Sequence, residues 1–433
     1  MPPGLLRSCA LCFVWLLWLL APAFQVEAAD PAAVDAYLHR EGRAFDPASG
    51  AGAELIEPRG RSFYLLGEMH GVAANNQADL GLLKYLHRTA GVRTYVSEIS
   101  YSYGSQLNRY LESGDPGILD FLFAKMNHSG DRSADKRRFW SDLRDWNSTL
   151  PAAEGIRIVG VDLERFDPEI TVANLRWILR SPAAPRSLRP VVEQVGRFPV
   201  GSDDPAVRRL AAALRGSVDR DRAAYAGWLG AQGLEDLELS LGNLEQRFHG
   251  QDDPAHFDEW RDAAQYRNLR RIVARLPAGS IYGRMGSAHV LQRRFDECDR
   301  LSVHLEGPDS PWAGRVIGIW PVYDHCQNLA YVNGAYTAVP CSDDPALAKV
   351  FARSARGPLT LFKLDGRDSP FRRPADLAGR TWTWKDNGFR LPSSEATPLP
   401  VTPGGFAGGA TADYFQYVLL FHGAAAARPL PGT

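Results

Sequence analysis

The sequence predicts an α/β fold: a mainly parallel sheet covered by helices, with a helical insertion. Three observations predict this class. Short apolar runs are separated by stretches with leucines at helical spacing, a long later segment is helical almost throughout, and apolar runs resume after it. Parallel strands that are buried on both faces appear in a sequence as short apolar runs between helices.

The first elements follow residue 31. The segment Pro31 to Ala90 predicts helix, loop, strand and helix, with the strand at residues 63–66 and leucines 80, 83 and 86 on one helix face. Apolar runs at residues 92–97 and 156–161 predict the next two strands. The helical insertion covers residues 168–276, approximately, and later strands are predicted at residues 280–283, 301–305, 316–319, 359–362 and 414–421. Proline and glycine dominate residues 392–410, which predicts a loop.

The N-terminal residues predict a cleaved signal peptide of residues 1–28. Arg7 precedes an apolar run from Leu11 to Phe24, and small residues follow at Val26-Glu27-Ala28. The alternative is an uncleaved anchor, but roughly 14 apolar residues are short against the roughly 20 that span a bilayer. We therefore expect a periplasmic or secreted protein without a stable membrane anchor. One α/β domain is expected over residues 30–423 and a flexible tail over 424–433.

Charge and cysteine content limit the partners. The 49 basic and 50 acidic residues nearly cancel, which argues against nucleic acid and favours a small-molecule or peptide substrate. Three cysteines follow the leader, and a bond between Cys326 and Cys341 is expected because the loop between them is short, leaving Cys298 free. No Cys-x-x-Cys pair follows the leader, which argues against a cysteine zinc site or a c-type haem. The oligomeric state stays open.

Ionisable residues follow four of the predicted strands. Ligands bind parallel sheets at the carboxyl ends of the strands, where loops converge. The candidates there are Glu68 and His70 after the first strand, Glu98 at the end of the second, Asp162 and Glu164 after the third, and His289 beyond residues 280–283. These groups can move protons or bind a metal.

Two chemistries fit this set. In Gly67-Glu68-Met69-His70-Gly71 a carboxylate near the imidazole raises its basicity. With Glu98 or Asp162 nearby, one histidine could act as a general base that activates water, while the second histidine or an arginine stabilises negative charge. The same groups could hold zinc, manganese or cobalt, with Glu68, His70, Glu98, Asp162 and His289 as ligands. Structural roles are the alternative for each: a turn histidine, a helix cap or an arginine partner.

One further pattern is present. Ser133-Ala134-Asp135-Lys136 matches a Ser-x-x-Lys motif, but it lies in a charged run without partner motifs. We interpret it as a solvent-exposed helix face.

Several segments together resemble a known superfamily. They are Leu65-Leu66-Gly67-Glu68-Met69-His70-Gly71 with Asn75, Val96-Ser97-Glu98 with Leu107 to Leu111, Val159-Gly160-Val161-Asp162, Arg261-Asp262 with Asn268-Leu269, and Gly286-Ser287-Ala288-His289-Val290. Their order and spacing resemble the erythromycin esterase, ChaN-like and Tiki superfamily, over residues 63–290. The two-residue step from Glu68 to His70 is that of the ChaN-like branch, whereas erythromycin-esterase-like members have one more residue.

The resemblance implies a site and two functions. It implies a parallel-sheet α/β fold in which His70 is the base, Glu68, Glu98 and His289 are its neighbours, and Arg261 stabilises an anion. The leading expectation is an exported hydrolase that activates water against an ester or amide bond. The alternative is a non-catalytic protein that binds haem or another small ligand, although the lipoprotein cysteine of haem-uptake members is missing and no tyrosine matches a haem ligand.

Overall fold

The structure is a computed structural model of the chain. It describes residues 31–58, 62–180, 184–199, 201–253, 256–294, 298–341, 345–372, 383–385, 388–390 and 410–431. The predicted signal peptide and the predicted loop at residues 392–409 lie outside the described residues.

A central sheet of eight strands organises the fold, in the order β1-β9-β12-β6-β2-β5-β3-β4. Its strands are β1 Arg43–Ala44, β2 Phe63–Glu68, β3 Thr94–Ser100, β4 Arg157–Asp162, β5 Ile281–Gly286, β6 Val316–Asp324, β9 Leu359–Lys363 and β12 Tyr417–His422. From β12 to β4 all neighbours pair in parallel, and β9 pairs antiparallel with both β12 and β1. Two hairpins complete the described strands: β7 Gln327–Val332 with β8 Ala335–Pro340, and β10 Thr383–Lys385 with β11 Gly388–Arg390.

Helices cover the sheet, as the apolar strands require. Every residue of β2 and of β6 is buried, which is possible only where both faces of a sheet are covered. The helices are α1 Pro31–Glu41, α2 Ala73–Ala90, α3 Tyr101–Ser113, α4 Pro116–Ala124, α5 Ala134–Asn147, α6 Pro168–Ile178, α7 Arg189–Gly196, α8 Asp204–Arg220, α9 Arg222–Asp252, α10 Phe257–Val273, α11 Leu301–Leu305 and α12 Pro345–Ala352. The α/β prediction is confirmed.

The helical insertion lies between β4 and β5. Helices α6 to α10 fill this interval in the described residues. Leu175, Leu210, Leu214, Leu237 and Leu241 from three of these helices pack into an apolar cluster of their own. Helical spacing of leucines therefore predicted this layer correctly, because each helix buries one apolar face against its neighbours.

One predicted strand is wrong. Residues Leu301 to Leu305 form helix α11, although the apolar residues 301, 303 and 305 alternate as they would in a strand. Leu301 and Leu305 are both fully buried, and a spacing of four residues places them on one helical face. The carboxylate of Asp262 accepts a hydrogen bond from the backbone N–H of Leu301 at 2.7 Å and so holds the first turn.

The last strand begins later than predicted, and the segment after it is held in place. Tyr414 precedes β12, which runs from Tyr417 to His422. Residues 424–430, predicted as a flexible tail, make backbone hydrogen bonds across the carboxyl edge of the sheet, for example from Ala427 N–H to the Gly71 carbonyl at 2.7 Å. Backbone groups of these residues therefore find partners on the loops at this edge.

A disulfide closes the β7–β8 hairpin at its base. Cys326 and Cys341, which precede and follow the two strands, are bonded, and Cys298 is free. Within the described part of the chain, no helix is both long enough and apolar enough to cross a bilayer.

Candidate functional site

The predicted residues meet at the carboxyl edge of the parallel strands. Glu68 is the last residue of β2 and Asp162 the last of β4, whereas His289 lies in the 3-10 helix Ser287–Val290 after β5. Glu98 lies inside β3 and not at its end. The register of β3 on β4 shifts between Ser97 and Ser100, and such a bulge redirects the side chain that it contains.

The imidazole of His70 lies between three carboxylates. Its Nδ1 atom is 3.2 Å from Glu68 Oε1 and 3.3 Å from Asp131 Oδ2, while Nε2 is 3.8 Å from Glu98 Oε2. The His70 side chain is 42% exposed. Its Nδ1 atom is nevertheless buried and makes no well-directed hydrogen bond. The ring thus turns Nδ1 toward two anionic oxygens, while other atoms of the side chain are exposed to solvent.

Asp131 reaches His70 because two glycines touch. A Cβ atom on Gly130 would lie 2.7 Å from the Gly71 Cα atom, and one on Gly71 would lie 2.4 Å from the carbonyl oxygen of Leu329. Gly71 also has a φ of +86°, which other residues rarely adopt. The loop before α5 can therefore approach the turn after β2 closely enough to bring its aspartate to the imidazole.

A buried arginine lies behind Glu68. Arg284 in β5 is 1% exposed, and its Nε atom is 3.2 Å from Glu68 Oε2 and 3.3 Å from Asp79 Oδ2. The hydroxyls of Tyr95 and Tyr282 donate hydrogen bonds to Asp79 at 2.6 and 2.8 Å. Burial raises the pKa of the Glu68 carboxyl, but Arg284, Lys136 and His70 together outweigh it and the pKa is lowered overall. Glu68 is therefore held as a carboxylate.

Arg261 binds the carboxylates on the other side of the site. Its Nε and Nη2 atoms donate to the two oxygens of Asp162 at 2.9 and 2.7 Å, and Nη2 also contacts Glu98. Burial opposes ionisation of these acids, but Arg261 and Arg165 lower the pKa of Asp162 to about 2, and Arg261 and His289 lower that of Glu98 well below its usual range. Both acids are held as carboxylates, and Arg261 is 7% exposed.

His289 is held as a cation. Its Nδ1 donates to Asp262 at 2.6 Å, and its Nε2 lies 3.5 Å from Glu98 Oε1. Burial lowers the pKa of this imidazole, but Asp262 and Glu98 together raise it to about 9. His289 is therefore protonated at neutral pH and does not accept a proton there.

Gly286 leaves space between the residues around His70 and those around Arg261. Its N–H donates to Glu98 Oε2 at 2.6 Å. A Cβ atom at this position would lie 3.1 Å from Glu98 Oε2, 3.5 Å from His70 Nε2 and 3.8 Å from a carbon of the His289 ring. Gly286 thus faces the point where the two histidines and Glu98 converge, and any side chain there would narrow it.

The six predicted site residues lie together, but they divide into two groups. Among the described residues, the group whose donor atoms lie close enough to share one metal ion is Glu68, His70 and Asp131, with those atoms within 4.8 Å of one another. Glu98, Asp162 and His289, which the sequence added to the metal ligands, instead contact Arg261 and Asp262.

Sequence reasoning missed four charged residues. Asp131 gives no pattern in the sequence, because it lies in a loop and not at a strand end. Lys136 was interpreted as exposed, but it is 3% exposed and lies 4.0 Å from Asp131, so that interpretation is wrong. Arg284 could have been found, because an arginine inside an apolar strand must have a buried partner. Arg165, 41% exposed, lies 3.3 Å from Asp162 and 3.9 Å from Glu98.

Comparison with known proteins identifies the fold. No protein-family model and no curated sequence matches the chain. Three solved structures are similar to it. A Bacillus cereus protein is 15% identical, the match covers 93% of this chain and 99% of that one, and the TM-score is 0.67. A succinoglycan biosynthesis protein is 13% identical, with 92% and 99% of the two chains covered and a TM-score of 0.63. A mutant of the erythromycin esterase EreC in its open conformation is 13% identical, with 86% and 93% of the two chains covered and a TM-score of 0.57. At this identity the similarity shows the fold alone, and that fold is erythromycin-esterase-like.

Proposed function

We propose that this chain is a hydrolase that uses the Nε2 atom of His70 to activate water against an ester or amide bond in a small molecule or peptide. One observation carries the proposal: a half-exposed imidazole whose Nδ1 side faces two carboxylate oxygens and whose Nε2 side faces the space beside Gly286. Carboxylates on one ring nitrogen orient the ring and make the other nitrogen a stronger base. The erythromycin-esterase-like fold supports a hydrolase.

The protonation of His70 sets the direction of its pH dependence. Burial lowers the pKa of this imidazole, but Asp131 and Glu68 raise it well above its usual value. The unprotonated form is then a minority at neutral pH. We therefore expect turnover to rise with pH into the alkaline range, because a general base must be unprotonated.

Arg165 is the better cation for an oxyanion. The family resemblance implied Arg261, but Arg261 is buried and already donates to Asp162 and Glu98. Arg165 is 41% exposed and lies at the same carboxylates, so its guanidinium can also reach a substrate. We assign Arg261 the role of holding Asp162 and Glu98, and Arg165 that of stabilising negative charge as the bond breaks.

A divalent cation fits the Glu68, His70 and Asp131 group. The fit rests on a buried Nδ1 atom without a directed hydrogen bond and on two carboxylates beside it. One imidazole and two carboxylates suit zinc or manganese. A bound cation would lower the pKa of a water molecule. Glu68 would remain fixed by Arg284, and Asp131 by Lys136.

The test compares two histidine variants. His70→Ala should abolish hydrolysis of the substrates that the parent cleaves in a panel of esters and peptides, with an unchanged circular dichroism spectrum. His39→Ala, which removes an exposed histidine in α1, should leave activity unchanged. Equal activity of His70→Ala and the parent would exclude the proposal. Metal analysis of the parent and of Asp131→Asn separates a metal-assisted reaction from a metal-free one.

Two further expectations accompany the function. We propose export to the periplasm or the medium, because the first 28 residues have the pattern of a cleaved leader. N-terminal sequencing of the protein recovered outside the cytoplasm should begin after Ala28. A haemin titration without a saturable spectral change would exclude the haem-binding alternative.

A further inference from the structure

Residues 424–430, here called the strap, form hydrogen bonds with the segments around His70: the turn after β2, the β7–β8 hairpin and the start of α5. The strap carbonyls of Ala424, Ala425 and Arg428 accept hydrogen bonds at 2.9, 3.0 and 2.8 Å. The donors are the N–H groups of Gln327 at the start of the hairpin, Ala73 at the start of α2 and Ala134 at the start of α5. One extended segment therefore joins three parts of the chain that are distant in sequence.

The carbonyl of Gly71 is the point where these parts meet. It accepts hydrogen bonds from Leu329 N–H in the hairpin at 2.8 Å and from Ala427 N–H in the strap at 2.7 Å. Gly71 follows His70 directly, so a shift of the strap or of the hairpin moves the backbone of the histidine. Val72 and Ala426 also pair as an isolated antiparallel bridge.

Arg428 fixes the strap to the helix that follows the Asp131 loop. Its guanidinium donates to Asp135 Oδ1 at 2.7 Å through Nη2, and its backbone N–H donates to Asp135 Oδ2 at 2.7 Å. Asp135 lies in the first turn of α5, two residues after Ser133, which is bridged to Pro429. The N–H of Ser133 in turn donates to the carbonyl of Asp131 at 2.8 Å.

We propose that the strap is a positioning element that holds Asp131 against His70, and that Arg428 is the positioning residue that secures it. The two side chains come from different loops, and the strap is bonded within three residues of each. Hydrogen bonds to both loops fix their separation, and an error of about 1 Å in such a contact can cost a site much of its activity. The strap holds this geometry whatever reaction the site performs.

The test uses Arg428→Ala, Arg428→Lys and a matched control. Arg353→Ala removes another exposed arginine, which pairs with Asp35 far from the site. Two measurements need no substrate: amide hydrogen exchange, and the ¹³C-histidine NMR spectrum at fixed pH, in which His70 is assigned from His70→Ala. The reference for a lost carboxylate contact is Asp131→Ala.

In Arg428→Ala we expect the amide of Ala134 and those of residues 129–133 to exchange about five-fold faster or more. The His70 resonance should move toward its position in Asp131→Ala. Arg428→Lys, which keeps the charge but not the paired donors, should fall between the parent and Arg428→Ala, and Arg353→Ala should match the parent. An unchanged His70 resonance in Arg428→Ala would overturn the proposal. Faster exchange throughout the protein would also overturn it, because the residue would then stabilise the fold generally.

Discussion

The Asp262–His289 pair links stability to pH, and Asp262→Asn tests this link. Both side chains are almost fully buried, and they share a 2.6 Å hydrogen bond. A histidine whose pKa is raised by folding binds its proton more tightly in the folded state. Its contribution to stability is therefore complete below about pH 6.5 and is lost as the pH rises through about 9.

The size of the effect follows from the two pKa values. The difference between about 9 in the folded protein and 6.5 for the free side chain corresponds to about 3 kcal/mol, at about 1.4 kcal/mol per unit. Burial without Asp262 would favour the neutral imidazole. The unfolding free energy of the parent should exceed that of Asp262→Asn at pH 6, and this excess should shrink by up to about 3 kcal/mol when the pH is raised above the folded pKa of His289.

Urea denaturation of both proteins at the two pH values measures this difference. A ¹³C-histidine NMR titration should show the pKa of His289 falling toward or below its ordinary value in Asp262→Asn. Asp258→Asn serves as the control, because Asp258 lies on the same helix and pairs with Arg300 at 3.2 Å. A stability difference that is the same at both pH values, or a His289 that titrates near 6.5 in the parent, would refute the reasoning.

Three further predictions concern the packing of the site. The backbone conformation of Gly286 allows an alanine, but the added methyl group of Gly286→Ala narrows the space at His70. We expect at least about ten-fold lower kcat/KM with an unchanged melting temperature. The control Gly242→Ala, which has open space around it, should keep full activity. Arg284→Met removes the buried cation between Glu68 and Asp79 and should cost about 3 to 5 kcal/mol in urea denaturation, a loss that Asp79→Asn partly restores in the double variant. Cys298, whose thiol pKa burial raises to about 11, should react with iodoacetamide at pH 8 far more slowly in the folded protein than in urea, as mass spectrometry can show.

The sequence allowed the parallel sheet and the helical layer to be predicted because both depend on short-range periodicity. The residues of β2 and β6 are buried on both faces, so their apolar runs are continuous. The prediction failed at Leu301 to Leu305, where five residues fit either period. A tertiary hydrogen bond to Asp262 accompanies the helix there, and periodicity contains no information about such contacts.

The same limit explains which residues of the candidate site could be predicted from the sequence. Glu68, Glu98, Asp162 and His289 are in or just after parallel strands, so the rule that ligands bind at the carboxyl edge was enough to find them. Asp131 belongs to a connection between two helices, and it reaches His70 only because Gly130 and Gly71 allow two backbones to touch. No local sequence pattern indicates that these two backbone segments come into contact.

The two sides of the site are held by different kinds of element. The carboxylates of Glu98 and Asp162 lie on strands, and Arg261 on helix α10 binds both of them. The contact of His70 with Asp131 joins two loops instead, and hydrogen bonds from the hairpin and the strap converge on Gly71 beside it. Substitutions in the strap or the hairpin should therefore disturb His70 through the loops and leave Glu98 in place, because Glu98 lies in a strand whereas His70 and Asp131 both lie in loops.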